Sequence, residues 1–107
     1  MANNYKNSKV DLSTTNITTL YTAPSATQTL VKSLLVSNDS GSDDTITVTI
    51  TDSASAIFSV YKNEEVGALS TKELLSQPLI IMESEILKVT AASANRLHVV
   101  ASYLEIT

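Results

Sequence analysis

Few residues in this chain are equipped for chemistry. There is one histidine, His98, and no cysteine. A nucleophilic site needs a base beside an activated hydroxyl or thiol, and a third group to orient the base. His98 lies between Leu97 and Val99 in an apolar run, where strand neighbours point to the opposite face. It reads as a partly exposed strand residue, because no second His or Cys completes a catalytic or metal site. Carboxylates are adjacent at Asp43-Asp44 and Glu64-Glu65. Adjacent strand residues point apart, so adjacency makes no acid–base dyad, and both pairs read as solvated turns. The stretch Asn38 to Asp44 resembles a calcium loop but lacks the ligand spacing of one. Gly41 and Gly67 stand alone, so no loop cradles phosphate. The expectation is a non-enzymatic protein with no cofactor and no metal.

The elements that hold these residues must fit a small frame. The chain has 107 residues, enough for one domain with a thin stability margin. Without cysteine, disulfides cannot widen that margin. Serine and threonine together supply 29 residues, whereas glycine and proline supply two each. Such a composition disfavours a flexible linker and suits a weakly charged β-domain. Net charge is −4, and the seven cations are scattered from Lys6 to Arg96. No basic patch or aromatic platform favours nucleic acid, and the acidic balance opposes anionic membranes. No apolar run approaches the length of a membrane span, and the polar N-terminus does not read as a signal peptide.

The clearest periodicity is Thr45 to Thr51. Ile46, Val48 and Ile50 share one parity, and four threonines share the other. This pattern predicts a strand with one aliphatic face and one hydroxyl face. Thr29 to Asn38 is apolar on both parities and reads as a central strand covered on both sides. The turn-rich segment 38–43 between them predicts an antiparallel hairpin. Further strands are expected at 17–23, 56–62, 72–75, 79–82, 85–91 and 96–106, the last lying inside a sheet. Ser70 and Glu73 match a capping box, but Pro78 leaves too few residues for a stable helix. The fold class is therefore all-β, an antiparallel sandwich of jelly-roll or immunoglobulin-like type with about seven or eight strands. Residues 1–16 read as an extended N-terminal arm or a first strand, and 17–107 as the sandwich. The first ten residues lack periodicity, which fits a disordered tail or an arm that orders on a partner.

The stretches Ile17-Thr-Thr-Leu-Tyr-Thr-Ala-Pro24, Val31-Lys-Ser-Leu-Leu-Val-Ser-Asn38, the alternating Thr45 to Thr51, Glu73-Leu-Leu-Ser-Gln-Pro-Leu-Ile-Ile-Met-Glu83, Ile86-Leu-Lys-Val-Thr90, and the close Val99 to Thr107 with Ser102-Tyr-Leu-Glu-Ile106, together resemble a family of small tailed-bacteriophage virion proteins. Two departures stand out. Members usually have Gly soon after the Pro, where this chain has Ser25-Ala26. They usually have Gly-Asp before the Leu-Lys-Val strand, where this chain has Ser84-Glu85.

The resemblance implies a capsid decoration (cement) protein on the outer head shell, made in the host cytoplasm. Its implied partners are the major capsid protein or other virion proteins, and its implied state is a homo-oligomer, a trimer. Val31, Leu35, Val100 and Leu104 are candidates for burial between subunits. The alternative is a tail, neck or fibre module that binds host carbohydrate. Loops and termini offer groups that strands keep paired, so the candidate contact residues are Ala2, Asn3, Asn4, Tyr5, Lys6 and Lys9 of the arm, and Asp39, Asp43 and Asp44 of the loop.

Overall fold

A computed structural model describes residues 2–107, so Met1 of the expected arm lies outside the described residues. Nine strands form: β1 (Asn3–Asp11), β2 (Thr18–Thr22), β3 (Gln28–Asn38), β4 (Asp44–Thr51), β5 (Ile57–Val66), β6 (Thr71–Glu73), β7 (Leu79–Ile81), β8 (Ile86–Ala91) and β9 (Leu97–Ile106). They make two antiparallel sheets. Sheet A has the order β1-β9-β3-β6, with β7 also paired to β3, and sheet B has the order β2-β8-β4-β5. The fold is the expected all-β sandwich, with nine strands in place of seven or eight.

The pairings follow a rolled ribbon. β1 pairs β9, β2 pairs β8, β3 pairs β6 and β7, and β4 pairs β5. Contacts β3·β9 and β4·β8 then knit the turns of the roll together. This is the jelly-roll arrangement of two Greek keys. It explains why β3 and β4 do not form the expected hairpin. In the roll, consecutive strands mostly alternate between sheets, and segment 39–43 crosses from sheet A to sheet B. Asn38 shapes that crossing. Its buried side-chain amide donates to the carbonyls of Ser42 at 2.8 Å and Val66 at 3.1 Å, and its Oδ1 accepts the Ser40 N–H.

The core lies between the sheets. Sheet A contributes Val31, Leu34, Val36, Leu97, Val99 and Ala101, and sheet B contributes Ile46, Val48, Leu87, Val89 and Ala91. Full burial of each Val, Leu or Ile side chain contributes about 1.5–3 kcal/mol. β4 keeps the expected parity as far as Thr49, with Ile46 and Val48 buried and Thr45, Thr47 and Thr49 half-exposed; beyond the register shift against β5 at Val48/Thr49, Ile50 is only half-buried and Thr51, expected on the hydroxyl face, is buried. β3 does not remain double-faced. Thr29 and Val31 point inward, then the inward parity switches to Leu34, Val36 and Asn38. A bulge between Val31 and Ser33 makes the switch, because one extra residue on β3 flips every side chain beyond it. Glu73 holds the bulge. Its carboxylate accepts the Leu34 N–H at 2.7 Å, the Leu75 N–H at 3.2 Å and the Ser33 hydroxyl. Ser70 and Glu73 therefore serve a strand edge, not a helix cap.

β1 replaces the unpatterned tail of the sequence reading. It runs along β9 for its whole length with no register shift. Its periodicity is hidden because Lys6 and Ser8 on the inward side meet polar partners and only Val10 packs on the core.

Six non-glycine residues adopt left-handed backbone: Ala26, Ser55, Asn63, Leu69, Ser84 and Asn95, with φ from 52° to 67°. Asn tolerates this region, whereas other L-residues pay roughly 1–2 kcal/mol. Two of the six, Ala26 and Ser84, lie in the turn after Pro24 and the turn before β8. Their turns meet at one end of the sandwich, with the Ser84 N–H on the Ala23 carbonyl and the Ala26 N–H on Glu83. Glycine has no Cβ to clash there but gives more freedom to the unfolded chain, so the net gain is smaller than the strain. Ala26→Gly and Ser84→Gly are each expected to stabilise the protein by about 0.5–1 kcal/mol, which raises the melting temperature by a few degrees. Calorimetry of the two variants checks this.

Candidate functional site

The polar groups fall into three sets. The first lies inside the sandwich. Glu105 points inward from β9 and is 6% exposed. Its carboxylate accepts the Tyr21 hydroxyl at 2.5 Å and pairs with Lys6 Nζ at 2.8 Å. Tyr21 Oη also lies 2.7 Å from the Thr29 hydroxyl, and its ring tilts against Tyr103 at 4.3 Å. The Tyr103 hydroxyl in turn meets Ser8 at 2.9 Å. Lys6 and Tyr21 together hold the Glu105 carboxyl below its ordinary value. The same Glu105 hydrogen bond raises Lys6, and burial followed by Glu105 raises Tyr21. This set joins β1, β9 and β3 of sheet A to β2 of sheet B, so its role is structural.

The second set surrounds His98. Its Nε2 lies 3.2 Å from Asp11 Oδ1 and its Nδ1 lies 3.7 Å from Asp39 Oδ2. Both ring nitrogens thus face carboxylates. Ser37 occupies the neighbouring position on β3, but its hydroxyl bonds Thr71 at 2.9 Å. The row Asp11–His98–Ser37 therefore has the residue types of a hydrolytic triad without its geometry. Among the described residues, no group of three or more His, Asp or Glu side chains is arranged to hold a metal ion.

The third set covers the outer face of sheet A. Tyr5, Leu104, Leu30 and Ile80 form one row across four strands. Tyr5 is 73% exposed and Ile80 50%. Parallel to it runs Lys9, Val100, Leu35 and Glu73. Lys32 Nζ lies 5.4 Å from the centre of the Tyr5 ring, within cation–π range. The outer face of sheet B is different in kind: Thr45, Thr47 and Thr49 lie beside Lys88 and Thr90.

The candidate contact residues are thereby divided. Ala2 exchanges backbone hydrogen bonds with Thr107. Asn3, Tyr5 and Lys9 lie on the outer side of β1, and Asn4 and Lys6 on its inner side, Lys6 being committed to Glu105. Asp39 meets the end of β1 at His98. Asp43 accepts the Ala68 N–H at 2.9 Å. Asp44 is not solvated: it is buried and accepts the N–H groups of Thr45 at 2.8 Å and Ser93 at 3.1 Å. A carboxylate that caps two backbone donors is stable inside the fold, which reverses the solvated-turn reading for this residue. Val31 is fully buried in the core, so it is unavailable to a second subunit. Leu30 and Ile80 escaped sequence analysis because their row exists only once the register is known.

No family model matches the chain, and no curated protein matches it by sequence. Among solved structures, a chain from the structure of infectious bursal disease virus Gt strain is similar at 12% identity with a TM-score of 0.45. That likeness covers 98% of this chain and 30% of the other.

Tyr21→Phe removes the hydroxyl that serves Glu105 and is expected to cost about 1–3 kcal/mol in urea unfolding at neutral pH. The sign with pH follows from the lowered Glu105 value. Its contribution is complete above the ordinary glutamate range near pH ~4.3 and fades as pH falls through the folded-state value. The gap between wild type and Tyr21→Phe should therefore narrow in acid, and unfolding curves at several pH values read it.

Proposed function

We propose that this chain is a non-enzymatic structural protein of a virus particle, a capsid decoration protein seated on the outer head shell. The observation that supports this reading is the exposed apolar row Tyr5, Leu104, Leu30 and Ile80, with the pair Leu35 and Val100 further along the same face, past Ser33 and Ser102. This apolar row, fringed by Lys32 and by the polar row Asn7, Ser102 and Ser33, has the form of a protein-binding surface. The stretches that resemble tailed-phage virion proteins favour the same class. The major capsid protein is the partner, and the bound unit is a homo-oligomer. Decoration across capsomer joints stabilises the assembled shell by mass action, since the joints exist only in that state.

The threonine face of sheet B favours a second reading, a tail or fibre module whose hydroxyls bind carbohydrate. Electron microscopy of labelled particles separates the two. Density over the head supports decoration, and density restricted to the tail overturns it. Leu30→Asp places a charge in the middle of the apolar row, between Leu104 and Ile80, at a residue outside the buried core. It is expected to lower head occupancy by about tenfold or more at fixed protein concentration, as loss of a central contact does.

A further inference from the structure

Each sheet has two lateral edges, and most of them are blunted. β6 and β7 share one edge as pieces of three residues each. β2 has five residues and a register shift. β5 has two register shifts against β4. β1 is the exception: nine residues, without a shift and without proline. Long flat edges of this kind accept another strand, and proteins usually disrupt them.

The free groups on this edge can be assigned. Ala2 and Thr107 exchange both backbone hydrogen bonds, and the Leu12 N–H donates to the Leu97 carbonyl. Hydrogen-bonded pairs alternate along an antiparallel ladder, so even-numbered residues of β1 face β9. The N–H and C=O groups of Asn3, Tyr5, Asn7, Lys9 and Asp11 consequently point outward. None of those N–H groups has a partner outside the ladder among the described residues.

We propose that β1 is a self-association edge whose occupant is β1 of a second copy, antiparallel about a two-fold axis at Asn7. Pairing residues 3–11 with themselves in full overlap sets Asn7 opposite Asn7, Tyr5 opposite Lys9 and Asn3 opposite Asp11. On the inner side, Lys6 falls opposite Ser8 and Asn4 opposite Val10. No like charges oppose each other, and each Lys9 meets a tyrosine ring. All the opposed outward residues are odd-numbered, which is the parity that frees their backbone groups. About eight inter-strand hydrogen bonds form between groups with no other partner. The two A sheets become one continuous sheet, and the Tyr5 row of each copy runs on into the Lys9, Val100 and Leu35 row of the other. This two-fold dimer stands in place of the trimer implied by the resemblance. It does not depend on the virion reading, which is tested by location in particles.

Sedimentation of the isolated protein at about 100 µM detects complexes of micromolar affinity. The expected mass is twice the 11.4 kDa chain. Asn7→Pro removes an outward N–H without touching the β9 ladder and should give the mass of one chain. Tyr5→Lys, at an exposed position, sets an ammonium opposite Lys9 of the second copy and should do the same. Because the chain has no cysteine, single-cysteine variants report the register. Asn7→Cys should cross-link into a disulfide dimer on oxidation, since a directly opposed pair lies within disulfide reach. Ser8→Cys, which points inward beside Tyr103, should not. A monomeric or trimeric wild type, a dimer insensitive to both edge variants, or cross-linking through position 8 in preference to 7 overturns the proposal.

Discussion

A buried carboxylate organises this sandwich. Glu105 sits on the inner face of sheet A, where a lone charge is costly unless donors surround it. One donor, the Tyr21 hydroxyl, comes from sheet B, and the other, the Lys6 ammonium, comes from the edge strand β1. The separation of the sheets at this margin is therefore set by directional bonds as well as by packing. The opposite margin repeats the device. Lys72 on β6 pairs with Glu64 on β5, and the Tyr61 hydroxyl donates to the Leu74 carbonyl. Between these two polar margins the aliphatic core needs only to fill space.

The two outer faces have opposite chemistry for a shared reason. Each strand turns one parity inward, so the outer parity is free to vary. On sheet B that freedom is spent on threonine, whose β-branched side chain suits a strand while its hydroxyl remains hydrated. On sheet A the outer parity alternates aliphatic rows with polar ones across β9 and β3, and β1 adds Tyr5 to the row of Leu104 and Leu30. Such a face is poorly suited to bulk water and well suited to a protein surface.

Much of this was legible in the sequence, and the gaps have physical causes. The alternation of β4 and the interior place of β9 were readable because each follows from side-chain parity alone. β3 misled because a bulge leaves no mark in composition: apolar residues on two parities look the same whether a strand is covered twice or shifted once. β1 was hidden because Lys6 and Ser8 face Glu105 and Tyr103, which leaves Val10 as the one apolar residue on the inner side, too little for a periodic signal. The hairpin expectation failed for a topological reason, as a strong turn says where the chain bends but not which sheet it enters. At the candidate site, the single residues were visible early. Their rows were not, because a row is a property of register. Asp44 looked solvated for the same reason, since its donor Ser93 lies far along the chain.

The position of β9 has a kinetic consequence. It lies between β1 and β3, pairing with both, yet it is the last of the three to be synthesised. A growing chain therefore holds β1 and β3 with an open gap between them and their apolar faces unprotected. The nascent protein cannot close sheet A by local steps, because its defining contacts join residues tens of positions apart. Closure of the sandwich must then wait until β9 has been made, and until that moment the unpaired strands are open to capture by chaperones or by neighbouring chains.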